Sequence, residues 1–131
     1  MRTAATVVAC FTALVCAAGC LPLLAGAGAG VGGTAYARGD LEARVNADPR
    51  AVATATEQAM KALDIAVISS QASGVDAEIL GRTARDKKVK VVVEGSGTTG
   101  SELSIRVGVF GDEEISRRLF TEIQKRLPAN E

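Results

Sequence analysis

The residues with the most distinctive chemistry are three cysteines, which all lie within the first 20 positions of the chain. Only Cys20 follows three small residues, Ala17-Ala18-Gly19, the context in which a lipoprotein signal peptidase cleaves and a thiol accepts a diacylglyceryl group. Cys16 follows the bulky Val15, and too short an apolar stretch precedes Cys10. We therefore predict that Cys20 is lipidated, and that the mature chain has no disulfide and no thiolate metal site.

Residue types that common catalytic mechanisms need are scarce in this chain. It contains no histidine, which removes the commonest general base and the commonest metal ligand, and no serine lies in a G-x-S-x-G turn. Lys and Arg together number 15, and Asp and Glu together also number 15. The chain therefore has no excess of basic residues that would favour binding to nucleic acid. The sequence predicts no catalytic residue, no metal and no cofactor, and it favours a protein that is not an enzyme and binds no nucleic acid.

One glycine motif, at residues 95–100, matches the G-x-G-x-x-G pattern of nucleotide-binding folds. In those folds the loop opens a helix, whose N-terminus holds the pyrophosphate. Here residues 102–107 alternate apolar and polar side chains, which indicates a strand. We therefore interpret residues 95–100 as a mobile hairpin loop.

The N-terminal part of the chain has the composition of an exported leader. Arg2 is followed by an uncharged run over residues 3–37. We predict a lipoprotein signal peptide at residues 1–19, the lipidated cysteine and a Gly/Ala-rich tether at 20–37, and a small domain at 38–131. Two alternatives stay open. The run could be an uncleaved transmembrane helix, because it is longer than the roughly 20 residues that such a helix needs. It could also pack closely against other helices in lipid, because glycines such as Gly26 and Gly30 recur at four-residue spacing.

From residue 38 onward, apolar residues recur with the periods of strands and helices. Leu41, Ala43 and Val45 alternate with charged residues, which predicts a short strand. Asp48 is the predicted N-cap of a helix in which Pro49 is the first residue. Four further strands are predicted at residues 65–70, 75–83, 89–93 and 101–109.

A last amphipathic helix is predicted over residues 112–127. Asp112 is its expected N-cap, and Gly111 is expected to need a backbone conformation that other residues disfavour. The predicted order is β-α-β-β-β-β-α. The predicted fold class is α+β, with a single antiparallel sheet of about five strands and both helices on its apolar face.

Charged residues are predicted on the other face of this sheet. The positive residues are Arg82, Lys87, Lys88, Lys90 and Arg106, and the negative residues are Asp76, Glu78, Glu94 and Glu102. Because the signs interleave along the sequence, we favour cross-strand pairs of opposite charge. Contact with anionic headgroups or with peptidoglycan is the alternative.

Several segments together resemble the small bacterial lipoproteins of domain-of-unknown-function family 3568. They are the Cys20 context, the Leu/Gly/Ala tether, YARGDLE at residues 36–42 and SIRVGVFGD at residues 104–112. The resemblance spans nearly the whole chain, and VGVFGD followed by Ser116-Arg117-Arg118 is its most specific part. The chain departs from the expected Asp-Gly turn at Arg85-Asp86-Lys87. The resemblance implies a lipoprotein address and this architecture, and it implies no catalytic residue.

These observations predict an envelope lipoprotein whose domain is a non-catalytic binding or scaffolding module facing the periplasm. Its partners would be the membrane, through the lipid anchor, and a protein or envelope polymer. Leu21 after the cysteine favours the outer membrane in a host that has one. The alternatives are a glycine-zipper-like membrane-embedded protein with a soluble domain, and a small hydrolase using carboxylates.

Overall fold

Six strands form in the computed structural model, which describes residues 32–128, and buried and exposed residues alternate along four of them. The strands are β1 (Gly32–Ala37), β2 (Asp40–Val45), β3 (Ala66–Ala72), β4 (Asp76–Arg82), β5 (Lys88–Ser96) and β6 (Gly100–Val107). They form one antiparallel sheet in the order β1-β2-β6-β5-β4-β3. Two helices, α1 (Pro49–Ala62) and α2 (Glu113–Gln124), pack against each other and against one face of this sheet.

The core lies between that face and the helices, and every second residue of the central strands points into it. Val89, Val91 and Val93 of β5 are fully buried against the helices. The strands and helices around them add further buried apolar side chains: Leu41, Ala43, Val45, Val52, Ala55, Ala59, Met60, Ile79, Leu103, Ile105, Val107, Leu119, Phe120 and Ile123. Alanines on α1 shorten the distance between helix and sheet, because their side chains are small.

The α+β class, the single antiparallel sheet and the order of the elements from β2 onward are confirmed. The structure adds one strand, β1, over residues that the sequence analysis assigned to the tether. Arg38 and Gly39 both have positive φ and form the two-residue turn that joins β1 to β2. Only Tyr36 of this edge strand packs on the core, so β1 has no alternating pattern by which to predict it.

Cys20, the predicted signal peptide and most of the predicted tether lie outside the described residues. Between residues 32 and 128, no helix is long and apolar enough to cross a membrane.

Candidate functional site

The loop between β6 and α2, residues 108–112, packs against the β1–β2 turn through two glycines. We call it the Phe110 loop. Gly111 has φ +83°, and a Cβ there would lie 2.4 Å from Gly39 Cα and 2.6 Å from the Tyr36 hydroxyl. A Cβ on Gly39 would lie 2.7 Å from the Phe110 carbonyl oxygen. Both positions therefore require glycine, because any side chain would meet backbone atoms.

An ion pair between β6 and β2 lies beside this contact. Arg106 Nε and Nη2 donate to the two carboxylate oxygens of Asp40 at 2.6 and 2.5 Å, and Nη2 also donates to the Arg38 carbonyl at 3.2 Å. The hydrogen bonds from Arg106 lower the pKa of Asp40, and Asp40 in turn raises the pKa of Arg106. Both groups are therefore charged at neutral pH, and the pair joins the turn to the end of β6.

Asp112 closes the other end of the Phe110 loop. Its Oδ1 accepts from the backbone N–H of Ile115 at 3.1 Å, which caps α2, and its Oδ2 accepts from Lys87 Nζ at 2.7 Å. The hydrogen bond from Lys87 is the main cause of the lowered pKa of Asp112, and the hydrogen bond from the Ile115 backbone N–H lowers it further. The same carboxylate thus caps the helix and links it to the β4–β5 turn.

The β4–β5 turn is the place where the chain departs from the expected Asp-Gly turn. Asp86 has φ +64°, the left-handed conformation that a glycine there would adopt more easily. Its backbone N–H donates to the Thr83 carbonyl at 2.9 Å, and its side chain pairs with Arg82 at 2.7 Å. The turn therefore forms without a glycine.

The Phe110 loop exposes two adjacent large apolar side chains. Val109 is 83% exposed and Phe110 is 94% exposed. The strand predicted over 101–109 ends at Val107, because Gly108 with φ +73° turns the chain out of the sheet. The predicted strand is therefore two residues too long at this end, and Val109 lies outside the sheet. Adjacent exposed apolar residues of this size are a feature of interaction sites.

Positive residues face one another on the open face of the sheet, away from the helices. Arg82 lies directly opposite Lys88 on β5, and Lys90 lies directly opposite Arg106 on β6. We call these four residues the basic band. Like charges directly opposite each other destabilise a sheet. The register of these strands therefore acts against stability at this end of the face.

Negative residues face one another at the other end. Asp76 lies opposite Glu94, which lies opposite Glu102. The prediction that opposite charges pair across the strands is confirmed only in part, because these carboxylates and the basic band have like charges directly opposite them. Opposite charges do meet at three places on this face: Arg106–Asp40 at 2.5 Å, Lys90–Glu78 at 3.0 Å and Arg44–Glu102 at 3.9 Å.

A cleft of about 520 Å³ opens between the basic band and the Phe110 loop. We call it the Phe110 cleft. Its lining combines cationic and apolar groups: Lys87, Lys88, Lys90, Arg106, Val107, Val109 and Phe110, with Gly108, Gly111 and the carboxylates Asp86 and Asp112. Three of its cations, Lys87, Lys90 and Arg106, are paired with carboxylates. Lys88 forms no ion pair with residues 32–128, so the cleft offers this unpaired cation beside exposed apolar side chains.

The family model described as "Protein of unknown function (DUF3568)" matches residues 3–126. The chain belongs to this family. No curated protein matches the chain. The DUF3568 match includes both Cys20 and the residues of the Phe110 cleft. The VGVFGD segment, the most specific part of the resemblance, forms the end of β6 and the Phe110 loop.

Two predicted residues of this DUF3568 chain lie away from the cleft. Asp48 Oδ1 accepts from the backbone N–H groups of Arg50 and Ala51 at 3.0 Å each, and Pro49 is the first residue of α1. A Cβ on Gly95 would lie 3.6 Å from Pro49, which places this helix start at the carboxylate end of the sheet. Residues 95–100, the glycine motif, join β5 to β6 as a hairpin.

Among residues 32–128, no three His, Cys, Asp or Glu side chains are grouped so that they could hold a metal ion. The cleft has hydrogen-bond donors for an anion and apolar side chains that could contact a neighbouring group.

Sequence reasoning missed Phe110 as a site residue. The signal for it was the pair of glycines, Gly108 and Gly111, on either side of Val109-Phe110.

Proposed function

We propose that this DUF3568 protein is an envelope-anchored lipoprotein, with a non-catalytic binding or scaffolding domain facing the periplasm. The sequence supports the anchor, because Ala17-Ala18-Gly19-Cys20 follows an apolar stretch that begins after Arg2. The observation that carries the binding role is the Phe110 cleft, which Lys88 and the exposed Phe110 both line. In a host with an outer membrane, Leu21 favours that membrane as the location.

The carboxyl groups of the domain whose pKa is shifted do not support a general-acid mechanism. The pKa values of Asp40, Asp112 and Glu122 are all lowered. In Glu122 the main causes are a hydrogen bond from Lys125 and a smaller effect of a hydrogen bond from Arg126. A carboxyl group that acts as a general acid at neutral pH needs a raised pKa. These shifts instead favour the ionised form, which acts as a partner in ion pairs.

The intact mass of protein extracted from membranes tests the anchor. We expect a chain that begins at Cys20 and carries the mass of acyl groups, and a Cys20→Ala variant without that added mass. A full-length, unmodified wild-type chain would refute lipidation and would favour a membrane-embedded N-terminal segment.

A broad hydrolase screen tests the non-catalytic part. We expect no turnover that exceeds the background of a mock purification. Turnover that copurifies with the folded protein and is lost on its denaturation would refute this part, and would favour an enzyme that uses carboxylates.

A further inference from the structure

The Phe110 loop presents its apolar side chains from a constrained backbone. Gly111 packs on Gly39 at one side, and Asp112 fixes the loop to the start of α2. Val109 and Phe110 therefore lie exposed on a backbone that is held at both sides, and a loop already held in place loses little backbone entropy on binding. Burial of both side chains in an apolar phase would be favourable.

Cations surround these two side chains on the side of the sheet. Lys88 and Lys90 line the same cleft, and Arg38 lies in the turn that contacts the Phe110 loop. Lys88 and Arg38 form no ion pair with any residue between 32 and 128. Their charges are therefore available to an external anionic surface.

We infer that the Phe110 loop and the basic band dock on a bilayer surface that contains anionic phospholipid. Val109 and Phe110 enter the interface, and Lys88 and Arg38 lie among the phosphates. Apolar side chains flanked by cations bind membrane surfaces in this way. The inference rests on the proposed lipid anchor, because that anchor keeps the domain close to a bilayer.

The length of the chain permits this contact. Gly32 lies opposite Arg44, at the end of the sheet away from the Phe110 loop. The six residues of β1 span about 20 Å between the two ends. Residues 20–31 could cover up to about 40 Å when extended. A lipid on Cys20 therefore allows either end of the domain to reach the bilayer that holds the lipid.

A bilayer fits this surface better than a folded protein partner. A standard protein interface buries about 800 Å² on each side around an apolar centre. The Phe110 loop offers two apolar side chains within a cationic surround. A membrane contact needs no larger apolar area, because the lipid anchor already supplies most of the attachment.

The absence of tryptophan from the chain makes the contact measurable. Phe110→Trp introduces the sole tryptophan, at a position exposed enough to accept it. Val75→Trp is the matched control, because Val75 is 74% exposed and lies beside Gly95 at the opposite end of the sheet. Full-length proteins extracted from membranes would be reconstituted in vesicles of phosphatidylcholine, alone or mixed with phosphatidylglycerol, with brominated acyl chains as quenchers.

We expect the indole of the Phe110→Trp protein to shift its emission to shorter wavelength and to be quenched in the vesicles with phosphatidylglycerol. The Val75→Trp protein should show neither change. In the Phe110→Trp background, Lys88→Gln should lower the equilibrium constant for docking about fivefold, which corresponds to the attraction of one lysine to an anionic surface. Lys61→Gln, the same charge change on an exposed part of α1, should have no effect.

Three results would overturn the inference. They are equal quenching at both positions, quenching of the Val75→Trp protein alone, and an emission change of the Phe110→Trp protein with inorganic phosphate but not with vesicles. The last would indicate a site for small anions. Failure of the proposed anchor is detected separately, because the mass of the reconstituted protein reports acylation whatever the indole does.

Discussion

Replacement of Gly111 by alanine tests the reasoning about the Phe110 loop most directly. Two separate effects act at this position. The backbone has φ +83°, and a Cβ would overlap the Cα and the carbonyl oxygen of Gly39 at 2.4 Å each. Because both neighbouring atoms belong to the backbone, they cannot move aside by rotation of a side chain.

The expected loss of stability is the sum of these two effects. A left-handed conformation costs an L-residue about 1–2 kcal/mol. Forcing an extra carbon into a packed site costs about 1–3 kcal/mol more. Gly111→Ala should therefore lower the free energy of unfolding by about 2–5 kcal/mol. A domain of this size has about 5–15 kcal/mol in total, so the variant should fold with a clearly reduced stability.

Urea unfolding followed by circular dichroism measures this loss, and two other glycines supply the control. Gly97 and Gly108 have φ +71° and +73°, and a Cβ on either would meet nothing within 4 Å. Gly97→Ala and Gly108→Ala should therefore show the conformational cost alone. If Gly111→Ala loses no more than these two variants, the close approach of the Phe110 loop to the turn is wrong.

Four further predictions concern other parts of the domain. The ion pairs that lower the pKa values of Asp40 and Asp112 stabilise the fold above the usual aspartate pKa, and this contribution is lost as the pH falls through the lowered values. Urea unfolding should therefore show declining stability below about pH 4, and less decline in an Asp40→Asn, Asp112→Asn variant. Asp64, just after α1, has φ +55°, so Asp64→Gly should raise the free energy of unfolding, measured in urea, by about 0.5–1 kcal/mol. The Ser116 hydroxyl is buried without a hydrogen-bond partner among residues 32–128, so Ser116→Ala should stabilise the domain by about 0.5–1.5 kcal/mol in the same assay. Glu94→Lys would convert two cross-strand pairs of like charge, with Asp76 and with Glu102, into pairs of opposite charge. It should raise the free energy of unfolding by about 0.5–2 kcal/mol at low salt and by less at high salt.

The elements that sequence reasoning predicted well are those whose burial is one-sided. In β5, buried Val89, Val91 and Val93 lie on one face and Lys88, Lys90 and Glu94 on the other, because one face of that strand lies under α1. Asp48 and Pro49 are a local signal for a helix start, since a cap depends on residues close in sequence. Such signals need no knowledge of distant contacts, which is why they can be read from the chain alone.

The parts that could not be predicted depend on contacts between distant segments. Gly39 and Gly111 are 72 positions apart, and only the folded chain shows that they touch. β1 likewise depends on its partner β2, because its own side chains are mostly exposed. Glycine at 111 was predicted for its backbone angle, whereas the structure gives it a second reason, the closeness of another backbone.

The direction of the strands explains why the charges separate although their signs interleave along the sequence. β5 runs from Lys88 and Lys90 to Glu94, whereas β6 runs from Glu102 to Arg106. Antiparallel pairing places the start of one strand beside the end of the other, so lysine meets arginine and glutamate meets glutamate. β4 has the same order as β6, from carboxylates to a terminal arginine, and extends both bands. Arg82, Lys90 and Arg106 of the basic band have carboxylate partners that offset this repulsion. Lys88 has none among residues 32–128 and lines the same cleft as exposed Phe110, as the proposed docking on a bilayer requires.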